Sequence, residues 1–333
     1  MVRLAAPEEP FSSPQAAVIT DERFEAPLPD ERHYRPIPRS FWLIRMWGLV
    51  VAAVVSLVLL SRMGVASFQA VIAVWVVVVF LILRPRFGVS GWVKRNEAAA
   101  AALASGEIGE ASSSFEALCH QARAVPILHS LFVFNRGVAY IHEQQARRAL
   151  SLFAGTLKAR WTRSAQIPNF HAMVLGEVAT ALAIEGETEQ ATRFLRMAQE
   201  QMSERLRGRL CLTDALVALR VGEPQRAAAE IEAHWQLAEG SLGARGIRAL
   251  RVLWAFALDR APGAPGAPGE RRDERLMRRL LDGAWPFSPG ELDYLAARWP
   301  ELQTFLRRHG FSRALPGGET FDAGSRDRLT DQR

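Results

Sequence analysis

The sequence predicts an all-α protein in which an N-terminal transmembrane helical hairpin is followed by an α-solenoid with a helical C-terminal cap. Three observations lead to this fold class. The 38 residues from Met46 to Leu83 carry a single charge, Arg62. A short phrase recurs between apolar helical runs in the middle of the chain, and a further apolar helical pattern follows a Pro/Gly spacer.

The uncharged stretch is long enough for two membrane spans. A surface helix needs a polar face, which this stretch lacks. A helix of about 20 residues covers the hydrocarbon core of a bilayer, which predicts spans at 41–60 and 65–83 in a hairpin of residues 41–86. The short turn between the spans makes them antiparallel. The residues expected to anchor the hairpin at its membrane interfaces are Trp42, Trp47, Trp75, Arg84, Arg86 and Trp92.

The distribution of Lys and Arg predicts the orientation of this hairpin. Eight of these residues flank the two spans, at positions 32–45 and 84–95, whereas Arg62 alone lies in the turn. We therefore expect both termini in the cytoplasm at a bacterial inner membrane. A cleaved signal peptide is the alternative, but forty residues with seven Asp or Glu precede the apolar run. Because the spans contain few polar side chains, the hairpin is interpreted as an anchor or docking surface, not as a pore.

The flanking segments have compositions typical of disorder or of linkers. Residues 1–40 contain seven prolines and no sustained apolar period, which predicts a disordered cytoplasmic tail. The sequence APGAPGAPG at 261–269 is typical of a semi-extended linker. Residues 312–333 are polar and poor in apolar side chains, so a second disordered tail is expected there.

Residues 93–260 contain the recurring phrase. It reads GEIGEA from Gly106, GETEQA from Gly186 and GEPQRA from Gly222. Each copy lies between two apolar helical runs, so the Gly is predicted to end one helix and the Ala to begin the next. A further unit lacks this Gly but has Gly137 and Tyr140 before Ala149 and Phe153, at offsets of 3, 12 and 16 from the first.

These offsets resemble the tetratricopeptide repeat (TPR), a helix-turn-helix unit of about 34 residues. The resemblance places its characteristic alanine at Ala111, Ala149, Ala191 and Ala227, in steps of 38, 42 and 36. The large apolar side chain four residues later is Phe115, Phe153, Leu195 and Ile231. The Trp and the terminal Pro of the family are mostly missing, so the repeats are degenerate. An unrelated array of helical hairpins is the alternative.

The resemblance implies that a protein or peptide partner binds in a concave groove formed by the first helix of each repeat. A helical or extended apolar segment would fit a groove of this composition, which has basic margins. In another register the same positions would be part of the stacking core. The residues that the resemblance places in the groove are Leu131, Phe134, Val138, Ile141, His142, Met173, Thr180, Ile184, Arg209, Leu212, Leu216, Leu219 and Arg220.

Residues 270–311 are predicted to form the helical cap. The helix from Glu270 to Gly283 is amphipathic and rich in Arg, so it could lie on anionic lipid or cover the end of the solenoid. We favour capping, because a solenoid needs a polar terminal cover.

No pattern indicates catalysis, a metal or another cofactor. The seven histidines lack metal-ligand spacing, and no nucleophile or phosphate-binding motif occurs. Although the net charge is +6, no nucleic-acid motif accompanies it, so nucleic acid is not an expected partner. The predicted function is a scaffold, not an enzyme, that recruits a protein partner to the membrane. One alternative is a regulatory or assembly subunit of a membrane enzyme or transporter complex, and a weaker one is a lipid- or nucleic-acid-binding module that uses the Arg-rich helix.

Overall fold

The computed structural model describes residues 27–28, 31–37, 47–51, 53–58, 72, 75–76, 89–159, 169–261, 270–285 and 290–312. Every regular element in these ranges is a helix, and no β-strand occurs in them. The predicted all-α fold class is therefore confirmed. The predicted linker from 262 and the predicted tail from 313 lie outside the described residues, as does most of the predicted N-terminal tail and of the hairpin.

Antiparallel pairs of helices build the part of the protein after residue 89. The α-helices are α1 (Val89–Ser105), α2 (Ile108–Gln121), α3 (Pro126–His142), α4 (Ala146–Lys158), α5 (Phe170–Glu185), α6 (Thr188–Gln201), α7 (Cys211–Val221), α8 (Pro224–Ser241), α9 (Ala244–Arg260), α10 (Glu270–Asp282) and α11 (Pro300–Arg308). Short 3₁₀ helices cover Glu31–Tyr34, Glu204–Leu210 and Asp293–Ala296. The first helices of the pairs (α1, α3, α5, α7 and α9) contact one another in order, an arrangement compatible with the predicted α-solenoid.

The turn inside each of the first four pairs has the same backbone hydrogen bond. An N–H donates to the carbonyl five residues earlier, which satisfies a carbonyl that the helix end leaves free. These bonds, of 2.8–2.9 Å, run from Glu107 to Ala102, from Gln145 to Tyr140, from Glu187 to Leu182 and from Glu223 to Ala218. The four turns are therefore structurally equivalent.

The glycine of the recurring phrase ends a helix, as predicted. Gly106, Gly186 and Gly222 have φ angles of 97°, 89° and 87°, a left-handed conformation that costs glycine little. In the α3–α4 turn, which lacks the glycine, Gln144 takes the same conformation with φ of 62°. The turn geometry is thus kept where the sequence phrase is lost.

The residues that the repeat spacing aligned pack in equivalent buried positions. Ala111, Ala149, Ala191 and Ala227 are all 0% exposed, near the start of α2, α4, α6 and α8. One turn further along each helix, the large apolar side chain is also buried: Phe115, Phe153, Leu195 and Ile231. A small residue at the first position and a larger one a turn later let each of these helices pack closely against its neighbours.

The array curves until its ends meet. At the start of α9, Arg245 donates from Nη1 to the carbonyl of Leu103 in α1, at 3.1 Å. Its Nη2 donates to the carbonyl of Glu291, at 2.8 Å, and its Nε lies 3.7 Å from the Glu291 carboxylate. Arg248 also pairs with this carboxylate, at 2.6 Å. Because Arg245 is buried, these partners compensate for the water that its charge has lost.

Residues 290–312 lie across the carboxyl-terminal ends of α3, α5 and α7 and pack against α9. Trp299 and Phe305 pack against Phe256 of α9, with ring centroids 5.3 and 5.2 Å apart. Arg298 forms an ion pair of 2.8 Å with Glu185 at the end of α5. Helix α10 lies against α9 with Leu280 and Leu281 buried, while its Arg275 and Arg278 side chains are exposed. We refer to residues 290–312 as the end cover.

Part of the predicted N-terminal tail is ordered, which corrects the expectation of disorder over residues 1–40. Residues 31–37, here called the strap, form a 3₁₀ helix and a short extended segment against α2 and α3. The Tyr34 side chain is 8% exposed, and burial of this large ring offsets part of the cost of ordering the strap. The sequence did not predict this order, because helices and strands are recognised from a periodic series of apolar residues. A single buried aromatic side chain among prolines produces no such period.

Some residues of the predicted hairpin are described, and they are helical: 47–51, 53–58, 72 and 75–76. Seven large apolar side chains in the stretch from 47 to 58 are 49–71% exposed, among them Val51, Val55 and Leu57. No helix in the described ranges is both long enough and apolar enough to cross a membrane.

Candidate partner-binding cavity

A cavity of about 420 Å³ lies on the concave side of the array, between the first helices of the pairs. α1, α3, α5 and α7 contribute to its wall, together with the 3₁₀ helix at 204–210 and the end cover. The sequence-predicted groove residues that line it are Phe134, Val138, Ile141, His142, Met173, Thr180, Arg209 and Leu212. The structure thus brings most of the predicted set together around one space.

The remaining predicted groove residues do not line this cavity. Ile184, Leu216 and Leu219 are 1%, 0% and 6% exposed, which places them in the stacking core, and Leu131 is half-buried beside that core. At these positions the burial agrees with the alternative register, in which the residues are part of the stacking core. The reason is that neighbouring pairs and the end cover bury the carboxyl-terminal ends of α5 and α7.

Arg220 is held by the end cover. Its guanidinium donates to the carbonyl of Ile184 at 2.9 Å and to the carbonyl of Arg298 at 3.0 Å. The same group lies 4.4 Å from the centroid of the Trp299 ring, a distance typical of a cation–π contact. Burial lowers the pKa of Arg220 to about 10. Arg220 therefore connects two pairs to the end cover and is not an open groove residue.

The apolar part of the wall has a fixed layer and an accessible layer. Phe134 packs edge-on against Phe170, with centroids 5.4 Å apart, and is almost fully buried. Val138, Met173 and Leu212 are half-buried and face the cavity. These three side chains would lose further contact with water when an apolar segment enters.

Glu177 adds a carboxyl group to this wall. It comes from α5 and is half-buried within the cavity. Burial raises the pKa of Glu177 to about 7, although the positive charge of Arg209 opposes that rise. Arg209 is exposed, and its Nη1 lies 3.8 Å from the sulfur of Met173. A carboxyl group and a guanidinium thus share one cavity with apolar side chains, an arrangement that suits recognition of a polar backbone group or chain end.

Sequence reasoning missed Glu177, although a signal was present. In the run from Phe170 to Ile184 it is the one acidic side chain among apolar and small residues. A lone carboxyl group on an apolar helix is either exposed or kept in a buried position with a shifted pKa. Here the second case applies.

His142 and Tyr294 close the cavity where α3 meets the end cover. Their ring centroids are 4.4 Å apart in an edge-to-face arrangement. Burial, assisted by the nearby charge of Arg245, lowers the pKa of His142 to about 3. Burial also raises the pKa of Tyr294 to about 12. Both side chains are therefore neutral at physiological pH.

Pairs of polar side chains fix the spacing of the cavity walls. The hydroxyl groups of Thr180 in α5 and Thr213 in α7 are 2.8 Å apart. Between α3 and α1, Asn135 Nδ2 donates to Asn96 Oδ1 at 2.7 Å. Buried hydrogen bonds between elements specify one arrangement of those elements, so the cavity is preformed.

The two cysteines lie outside the cavity wall. Cys119 and Cys211 are buried free thiols. Burial raises the pKa of both, in Cys211 to about 12. No group of three or more His, Cys, Asp or Glu side chains with metal-binding geometry occurs in the described ranges.

Three of the predicted interfacial residues can be placed. Trp47 and Trp75 lie in helical segments, and the Trp47 side chain is 66% exposed. Trp92 lies outside both predicted spans, near the start of α1, where it is half-buried against the core. Trp42, Arg84 and Arg86 lie outside the described residues.

Comparison with known proteins gives no family to which the chain can be assigned. No protein-family model, no curated protein and no solved structure matches it.

Proposed function

We propose that the protein is a membrane-anchored, TPR-like scaffold that binds a segment of a protein partner in its inner cavity. The anchor places this cavity on the cytoplasmic side of a bacterial inner membrane. The observation that carries the proposal is the preformed cavity between the first helices, where Val138, Met173 and Leu212 are accessible beside Glu177 and Arg209. Apolar walls with a few polar groups are the usual composition of a ligand site.

The TPR-like part of the proposal is supported by geometry that recurs. The turns share one hydrogen bond, and the aligned alanines are all fully buried. Equivalent packing at steps of 38, 42 and 36 residues favours a common repeating unit over an irregular helical array.

The membrane part is supported by exposed apolar surface. Helical residues of the predicted hairpin expose valine and leucine side chains, including Val51 and Leu57 at 57% and 71%. Soluble proteins rarely leave such a continuous aliphatic surface in water. Lipid would cover it, in agreement with the single charge between Met46 and Leu83.

A fixed location at the membrane would increase partner binding without new contacts. Confinement next to the bilayer raises the local concentration of a partner that is itself at the membrane. A moderate intrinsic affinity in the cavity would then be sufficient for recruitment.

The cavity is tested by affinity purification of the full chain from native membranes, with quantitative mass spectrometry of the proteins that accompany it. Val138→Glu and Leu212→Glu place a charge in the cavity wall and should remove the partner. The matched controls are Val221→Glu and Leu237→Glu, whose side chains are 47% and 39% exposed away from the cavity. If the cavity variants retain the partner, or the controls lose it equally, the binding proposal is wrong.

A second candidate function is a regulatory or assembly subunit that docks to a membrane complex through the hairpin. The exposed valines of residues 50–58 favour it, because another transmembrane helix could cover them as well as lipid. Exchange of residues 41–86 for an unrelated two-span hairpin separates the two functions. Partner binding that survives the exchange supports the scaffold, and its loss supports docking within the membrane.

A further inference from the structure

The strap connects the predicted membrane hairpin to a defined edge of the helical array. Arg123, in the α2–α3 turn, donates from Nε to the carbonyl of Arg35 at 3.0 Å. The N–H of Ile37 donates back to the carbonyl of Arg123 at 3.3 Å. His129 Nε2 lies 2.9 Å from the carbonyl of His33. With Tyr34 buried between them, these contacts hold the strap against the turn.

The other connection to the hairpin starts from the same edge. Helix α1 begins at Val89, and within its first two turns Arg95 donates to Gln121 Oε1 at 2.8 Å. Gln121 is the last residue of α2, two positions before Arg123. The start of α1 and the end of the strap are therefore neighbours across the end of α2.

Both connections to the predicted spans are short. Ile37 is four residues from the predicted start of the first span at 41, and Val89 is six residues from the predicted end of the second at 83. At about 3.5 Å per residue, these tethers reach roughly 14 Å and 21 Å at most. A domain held on two such tethers cannot move far from the bilayer at this edge.

The charge of this edge suits an anionic surface. Residues 31–37, 89–97 and 121–125 contain five Lys or Arg and two Glu. Arg32 and Lys94 are exposed, and no carboxylate in the described part of the chain forms an ion pair with either. A Lys or Arg near an anionic leaflet contributes about 1 kcal/mol of attraction.

We propose that this edge, formed by the strap, the start of α1 and the α2–α3 turn, lies on the anionic phospholipid headgroups of the membrane. Tyr34 fixes the strap, so the array has one orientation on the bilayer and does not swing on a flexible tether. This inference rests on the membrane anchor proposed above.

The experiment uses the full chain in vesicles that contain 30% phosphatidylglycerol, with a nitroxide quencher on the lipid headgroups. A fluorophore is attached at Ala124→Cys, in the α2–α3 turn. The matched control is Glu107→Cys, which lies at the other end of α1, about 25 Å away at 1.5 Å per residue. We expect strong quenching at position 124 and several-fold less at 107. Equal quenching at the two positions would overturn the proposal.

Two sets of substitutions test whether Tyr34 and the two exposed cations hold this edge on the membrane. Tyr34→Ala should reduce quenching at position 124 at least twofold, whereas Tyr34→Phe should retain it because the ring still fills its site. Arg32→Gln with Lys94→Gln should also reduce quenching, but Arg193→Gln with Arg196→Gln, an equal loss of charge on α6, should not. Unchanged quenching in the Tyr34→Ala and Arg32→Gln/Lys94→Gln variants would contradict the assigned roles.

Failure of the anchor is distinguishable from failure of this inference. If alkaline carbonate removes the chain from the vesicles, the membrane proposal itself is wrong. If the chain resists extraction but position 124 is not quenched, only the orientation is wrong. Purely phosphatidylcholine vesicles identify the lipid chemistry, since the anionic-headgroup proposal requires weaker quenching there.

Discussion

Gly137 in α3 lies directly against the ring of Phe153 in α4. A Cβ atom at position 137 would be 2.5 Å from Phe153 Cε1, well inside van der Waals contact. The two residues belong to one helical pair, and Phe153 is fully buried there. Glycine at this position therefore sets how closely α3 and α4 approach.

Gly137→Ala should destabilise the fold, because the added methyl group must displace a ring that has no free space. Overpacking of this kind costs about 1–3 kcal/mol. Chemical denaturation of the full chain measures the change. Gly155→Ala on α4 is the matched control, since a Cβ there meets nothing within 4 Å, and it should stabilise slightly through helix propensity. Equal effects of the two substitutions would refute this role of Gly137.

Gln144→Gly should stabilise the protein. Gln144 has a left-handed backbone conformation with φ of 62°, where the equivalent turns have glycine. Relief of this conformation is worth about 1 kcal/mol, offset in part by the larger entropy of glycine in the unfolded chain. The melting temperature should rise by a few degrees. Gln145→Gly, one residue later and outside the left-handed region, should lower it, and a decrease for both variants would count against the interpretation.

Arg245→Met should be strongly destabilising. The substitution leaves the Glu291 carboxylate in a buried place with Arg248 as its remaining cation, and it removes the hydrogen bond to Leu103. It also removes the donor of the Glu291 carbonyl, and a buried carbonyl group left without a donor costs about 1–3 kcal/mol. Arg248→Met should cost less, because Arg245 still lies beside Glu291. If denaturation gives the two variants equal stability, the contact between α9 and α1 contributes little.

Glu177→Gln should change the pH dependence of stability. Because burial raises the pKa of Glu177 from 4.5 to about 7, the folded protein holds a proton in this window that the unfolded chain has released. Stability is therefore lost as the pH rises from 4.5 to 7. The variant has no carboxyl group to titrate at this position. Its free energy of unfolding, relative to that of the wild type, should therefore rise by about 1–3 kcal/mol between pH 4.5 and 7. Parallel stability curves for the two proteins would exclude an elevated pKa.

His142→Gln should change the pH dependence of stability in the opposite direction. The pKa of His142 is lowered from 6.5 to about 3, so the unfolded chain binds a proton in this range that the folded protein does not. Stability should decrease as the pH falls below 6.5. The variant should lose less stability than the wild type between pH 6 and 4. His120→Gln is a control on α2, and a similar effect there would show that the response does not originate at position 142.

The repeating architecture was predictable because its determinants are local. Gly186 and Ala191 are five residues apart, and the turn between them is set by the conformation of one glycine. Such short-range patterns can be recognised in a single sequence.

The details of the cavity depend on contacts between distant parts of the chain. Tyr294 meets His142 across about 150 residues, and Arg220 reaches the carbonyl of Arg298. Helical periodicity gives the face of one helix but not which later segment covers it. For this reason the predicted groove residues Val138 and Met173 line the cavity, whereas Leu216 and Leu219 are buried in the stacking core.

The bond from Arg245 to the carbonyl of Leu103 has a consequence for how this protein can change. A linear stack of helical pairs tolerates duplication or deletion of a unit, because each unit depends on its neighbours alone. Here the first and last inner helices are partners, so one added pair would separate them and leave a guanidinium without its acceptor. The contact between α1 and α9 is therefore compatible with one number of helical pairs. New variants of the protein should arise through substitution and not through the gain of a pair.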